Sequence, residues 1–278
     1  MIFSKNVQSE RSLISSVNPL TEGDVYKKID FLLKSCTEDL IKLNPMVPLT
    51  PARDILVLPR REHPPKVGLS KAEGKARLIH DLASIELQAM ELGLRTLFEF
   101  PDAPAEFREQ LAAITINEAE HLQLCLVQLE ELGFKWGHWP VHLSLWEATS
   151  RDDTLLDRIL IVHRYLEGSG LDACDTLLRR LRGLPPEMAH KGIENAVKII
   201  SDEEIGHVDF GSKYYRFFCE LEKIDPAVDF PARMERIEKV LPRRLEPIVR
   251  PLRQKAGFTD LEIDFLERFQ TRFIKNIN

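Results

Sequence analysis

The chain has 278 residues, 44% of them hydrophobic, and a formal net charge of −6. This length is enough to bury a sizeable core, and the acidic balance argues against binding to long nucleic acid. The sequence contains no run of 18 apolar residues, no signal-peptide pattern and no Cys-x-x-Cys pair. We therefore expect a reduced cytoplasmic protein without a membrane span, rather than a disulfide scaffold.

The first 69 residues are predicted to form a helix and a proline-rich strap. Residues 21–43 are interpreted as one helix, whereas residues 45–65 hold six prolines and few helix signals. Proline lacks a backbone N–H and fixes φ, which disfavours a regular helix. We expect this strap to lie extended across the rest of the fold rather than to link two domains.

Four long helices are predicted to follow, and the fold class we expect is all-α, a ferritin-like four-helix bundle over residues 70–225. The helix starts and stops are marked by a capping box at Ser70–Glu73, by Pro101, by Gly133 and by Gly183. The predicted helices cover about residues 70–99, 104–133, 153–182 and 186–225.

The remaining residues, 226–278, are predicted to form a C-terminal helical arm. Thr259 and Glu262 have the spacing of a capping box, and they start a last helix that ends near residue 275. A basic stretch over residues 243–255 precedes this helix. We interpret the stretch as a solvated helix face rather than as an RNA site.

Two Glu-x-x-His tetrads are the most informative motif of the chain. Glu118–His121 lies on the second long helix and Glu204–His207 on the fourth, and their corresponding residues are 86 positions apart. Positions i and i+3 share one face of a helix, so each tetrad can direct a carboxylate and an imidazole at one ion. Glu86 on the first helix and Glu167 on the third are 81 positions apart. All four glutamates fall near the middle of their predicted helices.

This arrangement predicts a di-metal site. Ferritin-like bundles hold two metals with a Glu from each of two helices and a Glu-x-x-His from each of the others. The alternative is that these acids are partly exposed at the edges of apolar helix faces. A third tetrad, Glu187–His190, directly follows two prolines and is interpreted as the start of a helix. The predicted metal ligands are Glu86, Glu118, His121, Glu167, Glu204 and His207.

Three further residues are candidates for supporting these ligands. A metal-bound histidine usually donates its other ring N–H to a carboxylate or carbonyl. We therefore predict that Glu203 accepts from His121 and that Asn117 accepts from His207; the alternative is that both face solvent. His163, one turn before the ligand of the third helix, either lines the same cavity or is an ordinary core histidine.

Two glycines next to Glu167 predict an unusual backbone. Gly168 and Gly170 each weaken a helix by roughly 1 kcal/mol relative to alanine. We expect either a distorted, π-bulged turn within residues 160–175 or close helix packing without distortion.

The connection between the second and third helices carries all three tryptophans of the chain, Trp136, Trp139 and Trp146. The interpretation we favour is that they anchor this crossover to the helices. The alternative is that they form the wall of a substrate channel.

Several motifs resemble one known family. They are Ile85–Ala89, Leu145–Ala148, Leu166–Asp172, Asp202–Val208 and Ala256–Phe258. The chain resembles DUF455, an uncharacterised ferritin-like family, over most of its length. The resemblance implies a ferritin-like fold with a di-metal carboxylate site and a distant kinship to diiron tRNA hydroxylases. The chain departs from the family pattern at two places. Ser84 stands where the family often has a second His, and Gly168–Ser169 stand where the family has Ala-Arg.

The donor set indicates a function for the predicted site. Mixed carboxylate and imidazole ligation suits iron or manganese rather than a structural zinc ion. We expect two transition-metal ions, most simply iron, with manganese or a mixed Mn/Fe pair as the alternatives. The function we expect is that of an oxygen-activating oxidase or hydroxylase. Its partners would be a small organic substrate, dioxygen and an external electron donor, and its state a monomer or homodimer. The alternatives are a ferroxidase or metal-handling protein and a non-catalytic scaffold.

Overall fold

A computed structural model of the protein describes residues 18–243 and 246–275. These residues confirm the predicted all-α fold class, since their β-structure is limited to one parallel bridge between Val57 and Val141. The α-helices are α1 (Val25–Lys34), α2 (Thr37–Lys42), α3 (Ala72–Glu99), α4 (Ala105–Glu131), α5 (Leu155–Ile159), α6 (Glu167–Arg182), α7 (Lys191–Glu222), α8 (Pro226–Ile237), α9 (Arg250–Lys255) and α10 (Asp260–Lys275).

The chain divides into two compact units. The described part of the first unit consists of residues 18–64, 80–126 and 135–142. The described part of the second consists of residues 65–79, 127–134, 143–243 and 246–275. Within residues 18–243 and 246–275, none of the helices combines the length and the apolar character that a membrane crossing needs.

The four long predicted helices are present, with ends within a few residues of the expected ones. The third consists of α5, a π-helical segment at Leu160–Leu166, and α6 in direct succession. The fourth differs at its start, because residues 186–188 form a separate 3-10 turn and α7 begins only at Lys191. His190 caps α7 by accepting a hydrogen bond from the Ile193 N–H at Nδ1 (3.2 Å). The third Glu-x-x-His tetrad therefore marks a helix start, as interpreted. However, Glu187 lies in the 3-10 turn rather than in the first turn of α7, and only His190 takes part in the cap.

The predicted N-terminal helix over residues 21–43 is wrong in one respect, because it breaks into α1 and α2. Ser35 is extended, with a ψ of 148°, and its hydroxyl donates to the carbonyl of Phe31. Cys36 then caps α2 together with Asp39, whose carboxylate accepts from the Cys36 thiol at 3.1 Å. Local capping bonds thus compete with helix continuation at these two positions.

Buried charges attach α1 and the proline-rich strap to α3 in the first unit. Glu91 of α3 is fully buried and accepts hydrogen bonds from Lys28 of α1 and from Arg53 of the strap, the latter at 2.6 Å. Lys28 also donates to the carbonyl of Ala52 at 3.0 Å. Burial lowers the pKa of Lys28, and the charge of Glu91 opposes that change. The carboxylate of Glu91 therefore neutralises the charges of two cations that are shielded from solvent.

The tryptophan-bearing crossover is anchored, as interpreted. Trp136 stacks on the ring of His80 from α3 at 4.9 Å, and the Gly137 N–H donates to the same ring at 3.2 Å. Val141 exchanges backbone hydrogen bonds with the strap, at 2.8 Å with the Leu58 N–H and at 3.0 Å with the Leu56 carbonyl. Trp139 and Trp146 are buried.

Two arginines of the basic stretch before α10 form ion pairs within the second unit. Arg250 pairs with Asp264 at 2.8 Å and with Glu267 at 3.0 Å. Arg253 is buried and pairs with Asp172 at 2.7 Å, so the prediction of a solvated face is wrong at this residue. Residues 244 and 245 lie outside the described part of the chain.

The charge cluster around Glu91 yields a stability prediction. Glu91→Gln leaves Lys28 and Arg53 buried without their carboxylate. We expect the free energy of unfolding to fall by about 3–5 kcal/mol, the usual result of breaking a buried ion pair. Urea denaturation followed by circular dichroism measures this change.

Asp30→Asn is the matched control, because Asp30 pairs with Lys34 at 2.7 Å on the exposed face of α1. Its effect should stay below about 0.5 kcal/mol. Equal effects of the two substitutions would contradict the role assigned to Glu91.

Candidate metal centre

The first tetrad supplies a carboxylate and an imidazole from the middle of α4. Glu118 and His121 are both buried, and the His121 Nδ1 lies 3.6 Å from the Glu118 carboxylate. Glu86 of α3 is also buried and lies 3.5 Å from the same nitrogen. In the first unit, the carboxylates of two predicted ligands thus lie next to the imidazole of a third.

Electrostatics at His121 favour a bound cation. Burial lowers the pKa of His121, but hydrogen bonding and the charges of Glu118 and Glu86 outweigh this effect and raise the pKa to about 12. Without metal, His121 therefore carries a proton at neutral pH and serves as the positive charge between two carboxylates. A metal ion can replace that proton, because it offers positive charge to the same donors.

The second tetrad repeats this geometry on α7. Glu204 and His207 are both buried, and the His207 Nδ1 lies 3.5 Å from the Glu204 carboxylate. The spacing of three residues places both side chains on the same face of the helix.

Glu167 is held by His163, one turn earlier on the third long helix. Both side chains are buried, and the His163 Nδ1–H donates to the two oxygens of Glu167 at 2.8 and 2.9 Å. A hydrogen bond of this kind fixes both the histidine tautomer and the orientation of the carboxylate. His163 is therefore a buried histidine whose ring bonds a predicted ligand, and its role at a metal site stays a prediction.

The backbone at this place is π-helical. The π segment Leu160–Leu166 ends at Glu167, whose N–H bonds to the carbonyl of Val162, five residues before. This confirms the predicted distortion, and π turns are frequent at functional sites. Close packing accompanies it, since a Cβ on Gly211 of α7 would lie 2.6 Å from the Cβ of His163. The absence of a side chain at Gly211 lets α7 approach the π segment.

Four side chains, all buried, can together hold a metal. Each offers one ligand atom, and these atoms all lie within 4.8 Å of one another. The four residues are Glu118, His121, Glu204 and His207. Carboxylate oxygens and imidazole nitrogens are standard donors for divalent transition metals.

The two remaining predicted ligands lie outside this group of four. Glu86 contacts His121, and Glu167 contacts His163. Among the proposed supporting residues, Asn117 is half-buried and donates its amide to Glu120 at 2.8 Å, while Glu203 is exposed. The six-ligand assignment and the roles of Asn117 and Glu203 stay predictions.

One contact near Glu167 carried no signal in the sequence. Arg253 of the C-terminal arm reaches Gly168, the residue after Glu167. Gly168 predicted close packing, but no local sequence pattern indicates which distant residue occupies the place of its missing side chain. The hydrogen bond of His163 was more accessible to prediction, because its spacing to Glu167 places both on one helix face.

Fold and site define an all-α protein with a buried glutamate and histidine cluster that can hold metal ions. The chain belongs to the family described as "Protein of unknown function (DUF455)", which matches residues 20–264. It is similar to an uncharacterized protein of Haemophilus influenzae, with 29% identity over 243 residues, covering 82% of this chain and 82% of the relative. No solved structure matches the chain.

The proton on His121 leads to a prediction about metal binding. Since the pKa of His121 is raised to about 12, this proton is present throughout the neutral range and competes with the metal. We expect the affinity of the metal-free protein for Co²⁺ to rise about tenfold per pH unit between about pH 6 and 8 for each proton displaced. Calorimetry in buffers of different ionisation enthalpy counts the released protons.

His121→Gln removes this proton and should release one proton fewer on binding. His190→Gln changes the helix-capping histidine and should leave the proton count intact. An affinity that is equal at both ends of this pH range would refute the exchange of proton for metal.

Proposed function

We propose that the protein is a di-metal, oxygen-activating oxidase or hydroxylase that acts on a small organic substrate. In this proposal, residues 70–225 form a ferritin-like four-helix bundle, flanked by the N-terminal segment 1–69 and the C-terminal arm 226–278. Its metals are held by Glu86, Glu118, His121, Glu167, Glu204 and His207. Dioxygen and an external electron donor are the further partners, and the active form is a monomer or homodimer.

The grouping of four buried ligand atoms within 4.8 Å of one another carries this proposal. Taking carboxylates out of water costs several kcal/mol unless charge or hydrogen bonding compensates them. Two carboxylates and two imidazoles at this separation provide the negative charge and nitrogen donors that a divalent cation needs. Internal ion pairs of the Lys28–Glu91 type use Lys or Arg instead, which this group of four does not contain.

The chemistry of the donors favours iron or manganese. Structural zinc sites prefer cysteine and histidine in closed tetrahedral geometry, whereas carboxylate-rich sites with imidazole suit iron and manganese. The three buried cysteines, Cys125, Cys174 and Cys219, do not belong to the group of four. Iron held by such donors would supply redox chemistry with dioxygen.

The side chains of this protein have three roles in the proposed site. The six proposed ligands bind the metals: Glu86, Glu118, His121, Glu167, Glu204 and His207. His163 orients the carboxylate of Glu167 through its Nδ1–H. Buried apolar residues within one helical turn of the ligands along the chain would exclude water, among them Met90 of α3, Leu122 of α4 and Val208 of α7. Exclusion of water protects reactive oxidised species from side reactions.

Metal stoichiometry tests the ligand assignment. His207→Ala removes one imidazole, and we expect bound metal to fall from two ions per chain toward one. His190→Ala is the control, because His190 caps α7 through Ile193 instead of belonging to the group of four. Elemental analysis of protein purified without chelator gives both values. The assignment fails if the two variants bind equal amounts of metal.

Oxidation of iron separates an enzyme from a storage protein. The metal-free protein is loaded anaerobically with excess Fe²⁺ and then exposed to air, while oxygen consumption and soluble ferric iron are recorded. We expect oxidation to stop at two irons per chain, because the buried group of four offers a small number of ligand atoms. Uptake far beyond two irons, as a soluble mineral, would replace the oxidase proposal with iron storage.

A further inference from the structure

Arg253 of α9 is a buried arginine fixed against the third long helix. Its Nε and Nη2 donate to one oxygen of Asp172 in α6, at 3.1 and 2.7 Å. The other oxygen of Asp172 accepts from the Val249 N–H, just before α9, at 2.9 Å. One carboxylate therefore holds both the guanidinium, through one oxygen, and the start of its own helix, through the other.

The remaining nitrogen of Arg253 reaches the π segment. Its Nη1 donates to the backbone carbonyl of Arg164 at 3.1 Å. A π segment replaces the usual i→i−4 bonds by longer i→i−5 bonds, and such distortions persist where another group satisfies the displaced backbone. Arg253 bonds one carbonyl of this segment from a position 89 residues further along the chain.

Gly168 is required for this contact. A Cβ at this position would lie 2.0 Å from the Nη1 of Arg253 and 2.7 Å from its Cζ. Any side chain at residue 168 would displace the guanidinium. The contacts of Arg253 thus lie on both sides of Glu167, at Arg164 three residues before it and at Gly168 directly after it.

Aromatic and ionic contacts hold the arm in place around this arginine. The ring of Phe258 lies 5.0 Å from the guanidinium carbon of Arg253 and 4.3 Å from that of Arg164. Arg164 in turn donates to Glu262 of α10 at 2.8 Å, and the Ser212 hydroxyl of α7 donates to the carbonyl of Ala256. Arg253 therefore belongs to a packed, compensated cluster and has no freedom to swing to solvent.

We propose that Arg253 is a positioning residue for the candidate ligand Glu167. By holding the π segment and the first turn of α6, the C-terminal arm sets where this carboxylate lies and thereby how tightly the second metal binds. This inference rests on the proposed metal site and adds the residue that acts on it from outside. It also explains why Gly168 and the π segment lie close together in the chain, since both contact Arg253.

Arg253→Lys tests the proposal, with Arg250→Lys as the matched control on the same helix. Lysine keeps the charge beside Asp172 but cannot bond the Arg164 carbonyl at the same time. Arg250 instead pairs with Asp264 and Glu267 of α10. Hydrogen exchange over residues 160–168 is measured without metal, followed by Co²⁺ titration with visible absorption and by thermal melting.

We expect faster exchange in Arg253→Lys, an altered Co²⁺ spectrum and a second Co²⁺ that binds about 10-fold or more weakly, the usual effect of losing a group that supports a ligand. Arg250→Lys should match the wild type in all three. Gly168→Ala, which keeps Arg253 but displaces it, should reproduce the effect of Arg253→Lys if the lysine variant does not fold.

Unchanged exchange over residues 160–168 would overturn the inference, and so would faster exchange with an unaltered second Co²⁺ site. A loss of melting temperature with a normal Co²⁺ spectrum would make Arg253 merely structural and would overturn it too. A wild-type chain that binds no Co²⁺ refutes the proposed function itself, and the exchange result then decides separately whether Arg253 holds the π segment.

Discussion

Compensation of buried charge is the constraint on which both compact units depend. An ion that has left water is tolerated only where an opposite charge or hydrogen bonds replace its hydration. In the first unit Glu91 meets this requirement for Lys28 and Arg53, and in the second Asp172 meets it for Arg253. Each pair fixes the position of a flanking segment, because separating the partners would leave a charge alone in the core. The candidate ligands follow the same rule, with a proton on His121 where a metal can bind.

The long helices and the spacing of the tetrads could be predicted because their signals are local. Proline and glycine end helices through their own backbone geometry, so α3 and α4 end close to the expected residues. The three-residue spacing of Glu118 and His121 fixes their common face without any knowledge of the rest of the fold. Thr259 and Glu262 likewise form the predicted capping box, with the Thr259 N–H donating to Glu262 at 2.8 Å.

The features that escaped prediction depend on partners remote in sequence or on competing local bonds. The break between α1 and α2 follows from side-chain bonds of Ser35 and Cys36, which helix periodicity does not register. The glycines after Glu167 predicted the distortion within residues 160–175, but they did not indicate that it lies before them, at Leu160–Leu166. The burial of Arg253 depends on Asp172, 81 positions away, whereas a run of basic residues by itself indicates a solvated surface.

The distant pairing of α10 with the π segment also has a consequence for how the chain folds. Arg164 and Glu262 are separated by 98 positions, and Lys28 and Glu91 by 63. Closing such long loops costs chain entropy before the contact returns any stability, so contacts of this kind form late and slow the overall rate. During synthesis, Arg164 leaves the ribosome long before Glu262 exists to neutralise it. The third long helix therefore lacks this ion pair until the chain has been made as far as Glu262.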